Sequence, residues 1–331
     1  MPELRRDPII GRWVIIASER SARPSDYKIP EPPPEDVSKC PFCSGNEAMT
    51  PPEILAYYDP GRLPNAKGWW LRVIPNKYPA LKVEGEDDRS ADGMYDRMNG
   101  IGAHEVIVET PNHFETMAEM DNKRVEDIFW AFRDRMLDLR KDKRFQYVLV
   151  FKNHGRPAGA TLSHPHSQLI ALPMVPIRVM QEMKGSKAYY EYKERCVFCD
   201  IIHEERAVQK RMVAENESFI CVTPYASRFP YETWIIPKTH FCHYESIKKG
   251  DITLLAQMMK TVWGKYRALL KDPPLNLTIH TTPMRDPETP YYHWHIEIMP
   301  KLTHVAGFEV GSGFYINSTP PELAAELLRK A

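Results

Sequence analysis

Two Cys-x-x-Cys pairs, Cys40/Cys43 and Cys196/Cys199, each followed far downstream by a His-x-His, constrain this 331-residue chain more than any other feature. The same order of signals lies between each pair and its histidines. In the first half, β-rich runs at 70–74, 105–109 and 147–151 flank an amphipathic helix. Val125, Ile128, Phe129, Phe132, Met136 and Leu139 fall on one face of it, and Asp121 or Asn122 can cap its start. In the second half, runs at 219–223, 233–236 and 275–280 flank a helix after Asp251 with Leu255, Met258, Val262, Tyr266 and Leu269 on one face. His113 and His240 are 127 residues apart and His164 and His293 are 129 apart, whereas Cys40 and Cys196 are 156 apart. A surface insertion of roughly 28 residues in the first half absorbs that difference, since long loops add little closure entropy. The chain therefore reads as a duplicated α+β unit, divided into 1–178 and 179–331.

Charge and cysteine usage exclude several classes. The 44 basic and 44 acidic residues cancel, so bulk electrostatics draws the chain to neither nucleic acid nor anionic membrane. No apolar run approaches the ~18 residues of a membrane span, and the N-terminus lacks a signal peptide's apolar stretch, so a cytoplasmic protein is expected. Six cysteines are too few for a disulfide scaffold of this length. The prolines concentrated between Pro24 and Pro52 exclude a long helix or central strand there and suggest an ordered loop pinned by its cysteines.

Cys40, Cys43, His113 and His164 offer two thiolates and two imidazoles, a tetrahedral zinc set filled by protein and hence structural. Cys196, Cys199, His240 and His293 repeat the same residue types in the same order. The alternative for a single pair is a buried thiol or redox couple. In Ser163-His164-Pro165-His166-Ser167-Gln168 an extended backbone puts His164, His166 and Gln168 on one face. If a metal holds His164, the strand places His166 for in-line attack on phosphorus, and the Gln168 amide can donate to a phosphoryl oxygen. The plainer reading is that His-Pro-His supplies two metal ligands. The segment 151–161 before it carries Gly155 and Gly159, which let backbone amides approach a diphosphate, and Asn153 and Thr161 as side-chain donors. Cys221 and Cys242 read as buried or incidental thiols, His154 and His243 as solvated or loop histidines, and Trp69 and Trp70 as core and interface anchors.

Cys-Pro-Phe-Cys, Asn-x-Gly-x-x-x-Gly and His-Pro-His-x-Gln together resemble the galactose-1-phosphate uridylyltransferases of the histidine-triad superfamily. Arg20-Ser-Ala-Arg23-Pro24 and Val73-Ile-Pro-Asn76-Lys-Tyr78-Pro-Ala-Leu81 extend the likeness over nearly the whole chain. The resemblance implies two histidine-triad-like repeats, each an antiparallel sheet with helices on it, assembled as a homodimer. It further implies that His166 is nucleotidylated in a ping-pong reaction between a nucleotide sugar and a hexose 1-phosphate. Asn76 and Tyr78 would hold the nucleoside, and Arg20, Arg23, Asn153, Gly159, Thr161 and Gln168 the phosphates. Glu309, in the C-terminal run 306–317, would contact sugar hydroxyls.

Three departures bear on the reading. The best-known bacterial members build a second metal site from a glutamate and three histidines, which Glu182, His280, His293 and His295 could imitate. The second Cys-x-x-Cys favours zinc on Cys196, Cys199, His240 and His293 instead. Tyr292-His-Trp-His-Ile has no glutamine two residues after His295, so only the first half is expected to be catalytic. The paired Cys-x-x-Cys and the C-terminal segment look closer to a branch that includes plant ADP-glucose phosphorylase, and Lys77 stands where many uridylyltransferases carry aspartate. UDP-glucose with galactose 1-phosphate is the leading substrate pair, and ADP-glucose with inorganic phosphate the enzymatic alternative. A zinc-stabilised nucleic-acid binder is the alternative outside enzymes, and the balanced charge opposes it.

Overall fold

The computed structural model describes residues 1–22 and 36–331, so Arg23 and the first part of the proline-rich stretch lie outside the described residues. Its centre is one ten-stranded sheet, with strands numbered here in chain order. They are β1 (Leu55–Tyr58), β2 (Trp69–Pro75), β3 (Ala103–Val108), β4 (Tyr147–His154) and β5 (His166–Leu172) from the first half. The second half gives β6 (Met212–Glu215), β7 (Phe219–Val222), β8 (Thr233–Pro237), β9 (Leu275–His280) and β10 (His295–Pro300). The order across the sheet is β6-β7-β8-β10-β9-β4-β5-β3-β2-β1, every neighbour antiparallel. Each half thus has the same connectivity, with its fifth strand inserted between its third and fourth. The two halves do not form separate sheets. Their fourth strands pair directly, Asn153 opposite Asn276 and Phe151 opposite Thr278.

Helices α1 (Asn122–Leu139) and α4 (Lys249–Leu270) each bridge the third and fourth strands of their half and pack side by side on one face of the sheet. Asp121 caps α1 by accepting the Arg124 N–H, 2.8 Å away. The expected apolar stripes are the ones buried: Val125, Ile128, Phe129, Phe132, Met136 and Leu139 from α1, and Leu255, Met258 and Val262 from α4. They meet alternate strand residues such as Ile107, Val150, Leu169, Leu277 and Ile296. Each large side chain buried there contributes ~1.5–3 kcal/mol.

The opposite face holds two smaller clusters. One gathers Cys40, Phe42, Trp69, Val106 and Val108, the other Cys196, Phe198, Ile220, Val222, Trp234 and Tyr292. Both cysteine knuckles therefore lie on the sheet face away from α1 and α4. Helices α2 (Ile177–Lys193) and α3 (Val197–Val208) follow β5, α5 (Gly307–Ser312) follows β10, and α6 (Pro321–Lys330) packs on α4 and β6. The sequence reading contains none of these four. Strands Glu3–Arg6, Trp13–Ile16 and Tyr315–Asn317 form a small separate sheet that ties the two ends of the chain together. No helix among the described residues is long and apolar enough to cross a membrane.

Candidate active site and metal centres

The first four-ligand set assembles as its spacing suggests. The donor atoms of Cys40, Cys43, His113 and His164 all lie within 4.8 Å of one another. Nδ1 of His164 is 3.6 Å from Cys40 Sγ and 3.5 Å from Cys43 Sγ, and Nδ1 of His113 is 3.3 Å from Cys43 Sγ. A tetrahedral ion with metal–sulfur and metal–nitrogen bonds of ~2.3 and ~2.0 Å puts such atoms about 3.5 Å apart. The outer ring nitrogens are engaged as well. His164 Nε2 donates to the Thr110 carbonyl at 2.8 Å, and His113 Nε2 meets Ser163 Oγ at 2.8 Å. Because a carbonyl can only accept, His164 carries its proton on Nε2 and aims a lone pair from Nδ1 at the thiols. Burial pushes the Cys43 thiol up to about 11, with Cys40 adding to the effect, so this pocket ionises readily only with a cation in it.

The second set is built alike. Cys196, Cys199, His240 and His293 bring their donors within the same 4.8 Å, with Cys199 Sγ 3.5 and 3.8 Å from Nδ1 of His240 and His293. Nε2 of each imidazole donates to a backbone carbonyl, of Thr289 and Pro237. The Cys199 thiol is pulled down to about 3, first by a hydrogen bond from Cys196, then by His240 and His293. Both sets fit a tetrahedral metal that accepts two sulfurs and two nitrogens.

His166 begins β5, while His164, expected on the same continuous strand, sits just before it in an irregular segment. The four-ligand set thus lies two residues before the start of the strand that carries His166. His166 Nδ1 donates to the His164 carbonyl at 2.8 Å, which leaves the lone pair on Nε2. The ring is 7% exposed, burial lowers its basicity, and Phe42 of the first knuckle packs 5.3 Å away edge-on. A neutral, oriented imidazole is the form that attacks phosphorus. Behind it, on the helix-covered face, buried Lys152 bonds to Glu109 at 2.8 Å and to the His166 carbonyl at 3.1 Å, and Ser167 donates to the same Glu109.

Gln168, two residues on, lies opposite Val106 on β3 and accepts from His104 Nε2 at 2.9 Å. Asn153 lies at the end of β4 rather than in the following loop, and its Oδ1 accepts from Asn276 of the second half at 2.7 Å. Gly159 has φ +92°, a conformation costly for any other residue, and its α-hydrogen side opens toward Asn153. Asn76 accepts the Tyr78 N–H at 2.9 Å, and the Tyr78 ring projects largely into solvent. Thr161 and Arg20 are exposed, Arg20 on a short turn. Glu309 caps its own helix by accepting the Ala306 N–H at 3.0 Å, and no hydrogen bond joins it to the other described site residues. His154 ends β4, half-buried, and meets Asp272 at 3.1 Å; His243 lies in a loop but is buried rather than solvated. His104, Lys152 and Asn276 are the residues sequence reasoning missed, each brought in by strand register.

The equivalent place in the second half is closed. His295 Nδ1 donates to the His293 carbonyl at 3.1 Å, as in the first half, but Glu297 occupies the position of Gln168. Glu297 is bound by Arg178 at 3.0 Å and Arg228 at 2.8 Å. Glu182 bonds to His280 at 2.7 Å and lies with His280 and His295 in a buried group separate from the second cysteine set. Burial alone would raise the Glu182 carboxyl, yet His280 and Arg178 bring it to about 2. Arginines already compensate these carboxylates, and His280, His295 and Glu297 are all buried.

Comparison with known proteins agrees with this geometry. A family model described as galactose-1-phosphate uridyl transferase, N-terminal domain, matches residues 1–176, and one for a domain of unknown function matches 100–330. ADP-glucose phosphorylase of Arabidopsis thaliana is 38% identical over 99% of this chain and 93% of its own length. The chain belongs to the galactose-1-phosphate uridylyltransferase family. Within that family, the uridylyltransferase of Thermotoga maritima is 30% identical over 100% of this chain and 98% of its own. The crystal structure of the Arabidopsis phosphorylase with bound ADP-glucose has 36% identity and a TM-score of 0.84, covering 100% of this chain and 99% of that one. A uridylyltransferase structure has 28% identity and a TM-score of 0.77, covering 100% of this chain and 98% of that one.

Proposed function

We propose that the protein transfers a nucleotidyl group between a nucleotide sugar and a second phosphate through His166. The observation that carries this is the tautomer lock on His166: its Nδ1–H is held by the His164 carbonyl and its Nε2 lone pair is free. Nε2 attacks the α-phosphorus, the P–N bond forms, and the P–O bond to hexose 1-phosphate breaks. An oxygen of the incoming phosphate then attacks the same phosphorus and expels the imidazole. Gln168 and Asn153 donate to the phosphoryl oxygens, Gly159 lets the backbone approach, and Asn76 and Tyr78 hold the nucleoside. Arg20, Arg23, Thr161 and Glu309 complete the expected contacts to phosphates and sugar. Such transfers are accelerated chiefly by positioning and by donors at the charged oxygens.

Zinc in both cysteine–histidine sets would be structural, holding knuckles and strand starts in place, with the repeats divided at 178/179. The uridylyltransferase reading takes UDP-glucose and galactose 1-phosphate. The phosphorylase reading takes ADP-glucose and inorganic phosphate, and the 38% full-length likeness supports it at least as well. A cytoplasmic homodimer without nucleic-acid partners remains part of the proposal. Intact-protein mass spectrometry after mixing with UDP-glucose or ADP-glucose tests it. A uridylyl or adenylyl adduct absent in His166→Ala names the branch, and an active protein without any adduct refutes the covalent mechanism.

A further inference from the structure

His104 lies on β3, half-buried, and neither the sequence motifs nor the expected ligand contacts assign it a role. Its ring meets three groups. The Ala80 N–H donates to Nδ1 at 3.2 Å, Gln168 Oε1 lies 2.9 Å from Nε2, and Asn76 Nδ2 lies 3.1 Å from Nε2. A backbone N–H can only donate, so Nδ1 carries the lone pair and the neutral ring carries its proton on Nε2. That proton goes to Gln168 Oε1, which can only accept. Asn76 Nδ2, whose amide is oriented by the Tyr78 N–H on its Oδ1, is a donor as well, so it stands beside Nε2 without a hydrogen bond to it.

The consequence falls on the phosphoryl site. With its oxygen held by His104, Gln168 presents its NH2 away from the ring, and no described residue accepts from that nitrogen in a hydrogen bond. The segment that bears Asn76 and Tyr78 is fastened to the same residue. Besides the Ala80 contact, the Asn76 N–H donates to the His104 carbonyl at 2.8 Å. Gly102, two residues before His104, has no room for a Cβ: the Ala171 carbonyl and Leu81 would stand 2.4 and 2.5 Å from it. The end of the segment is thereby pressed onto β3.

We propose that His104 is a positioning residue: it fixes which end of the Gln168 amide faces the transferred phosphoryl group and couples that choice to the seating of residues 76–81. The proposal rests on the reading of His166 as nucleophile and Gln168 as donor. Two measurements on the full-length, metal-loaded protein test it. In 15N-histidine NMR of the resting protein, with the His104 signals assigned by their absence in His104→Gln, a protonated Nε2 and bare Nδ1 are expected. A protonated Nδ1 overturns the proposal whatever reaction the protein catalyses, so this arm is decided even if no adduct forms in the wild type. In rapid-quench formation of nucleotidyl-His166, His104→Leu should slow the step by ~10- to 100-fold, with a smaller change in KM. His104→Gln, whose own NH2 reaches Gln168 Oε1, should stay within about fivefold. In a Gln168→Ala background His104→Leu should add less than about twofold. An equal loss with and without Gln168 shows that His104 acts through packing alone and overturns the proposal.

Discussion

Lys152→Met tests the claim that a buried charge pair braces the nucleophile strand from behind. Lys152 and Glu109 are 3% and 0% exposed and 2.8 Å apart, and Lys152 also donates to the His166 carbonyl at 3.1 Å. Removing the ammonium leaves Glu109 buried, with the Ser167 hydroxyl as its remaining side-chain hydrogen-bond donor among the described residues. Orphaning a buried charge costs ~3–5 kcal/mol, whereas losing an exposed pair costs ~0–1 kcal/mol. At ~2.1 cal/mol/K of unfolding entropy per residue, 331 residues give ~0.7 kcal/mol/K, so Tm should fall by ~4–7 °C. Calorimetry of metal-saturated protein reads this directly. Lys152→Met combined with Glu109→Gln removes both charges, keeps an acceptor for Ser167, and should recover at least half of the loss. A single variant within ~1 kcal/mol of wild type, or a double variant less stable than either single, refutes the reasoning.

Acid should destabilise the protein in two windows. Burial pushes His295 down to about 4, so the unfolded chain takes up its proton first, and stability falls from the ordinary histidine range of ~6.5 down to about 4. Glu182, held at about 2, is present as a stabilising anion above ~4.3, and that contribution is lost between there and about 2. Comparing Tm against pH for wild type and His295→Phe should show the first window flattened in the variant. The second-half site being closed, His295→Ala should form the nucleotidyl adduct within a few-fold of the wild-type rate, and a loss comparable to His166→Ala would contradict that assignment. Chelation should lower Tm and abolish adduct formation, with zinc restoring both, since each set joins segments distant in the chain. Full activity in metal-free protein would remove the structural role given to the ion.

Both metal sets were readable from sequence because their chemistry is local. A Cys-x-x-Cys turn needs no partner strand to bring its sulfurs together, and the histidines repeat at nearly constant offsets. The α1 and α4 stripes were readable for the same reason, since a 3.6-residue period is a property of the segment itself. Helices α2 and α3 were not read. Helix α2 has no apolar stripe, burying Val179, Glu182 and Ser186, and α3 starts at the second knuckle, where Cys196 already had a different meaning. His154 ends a strand because β4 pairs with β9, and its half-buried ring meets Asp272 and Trp263, partners over a hundred residues away; His243 lies in a loop as expected but is buried there beside Glu245.

Sequence alone pointed to an α+β chain with a repeated order of signals, two four-ligand Cys–His sets, a candidate nucleophile in His166 and a second half lacking its glutamine. Only the tertiary structure decided that the two halves share one sheet. Pairing between β4 and β9 sets Asn276 opposite Asn153, and pairing between β3 and β5 sets His104 beside Gln168. Register of this kind is fixed by the summed burial of whole strands, and a slip of one residue would turn every side chain to the other face. The side-chain partners of Gln168 and Asn153 follow from that register, and the pairing of Glu297 with Arg178 of α2 and Arg228 of a loop follows from the packing of those segments on the sheet.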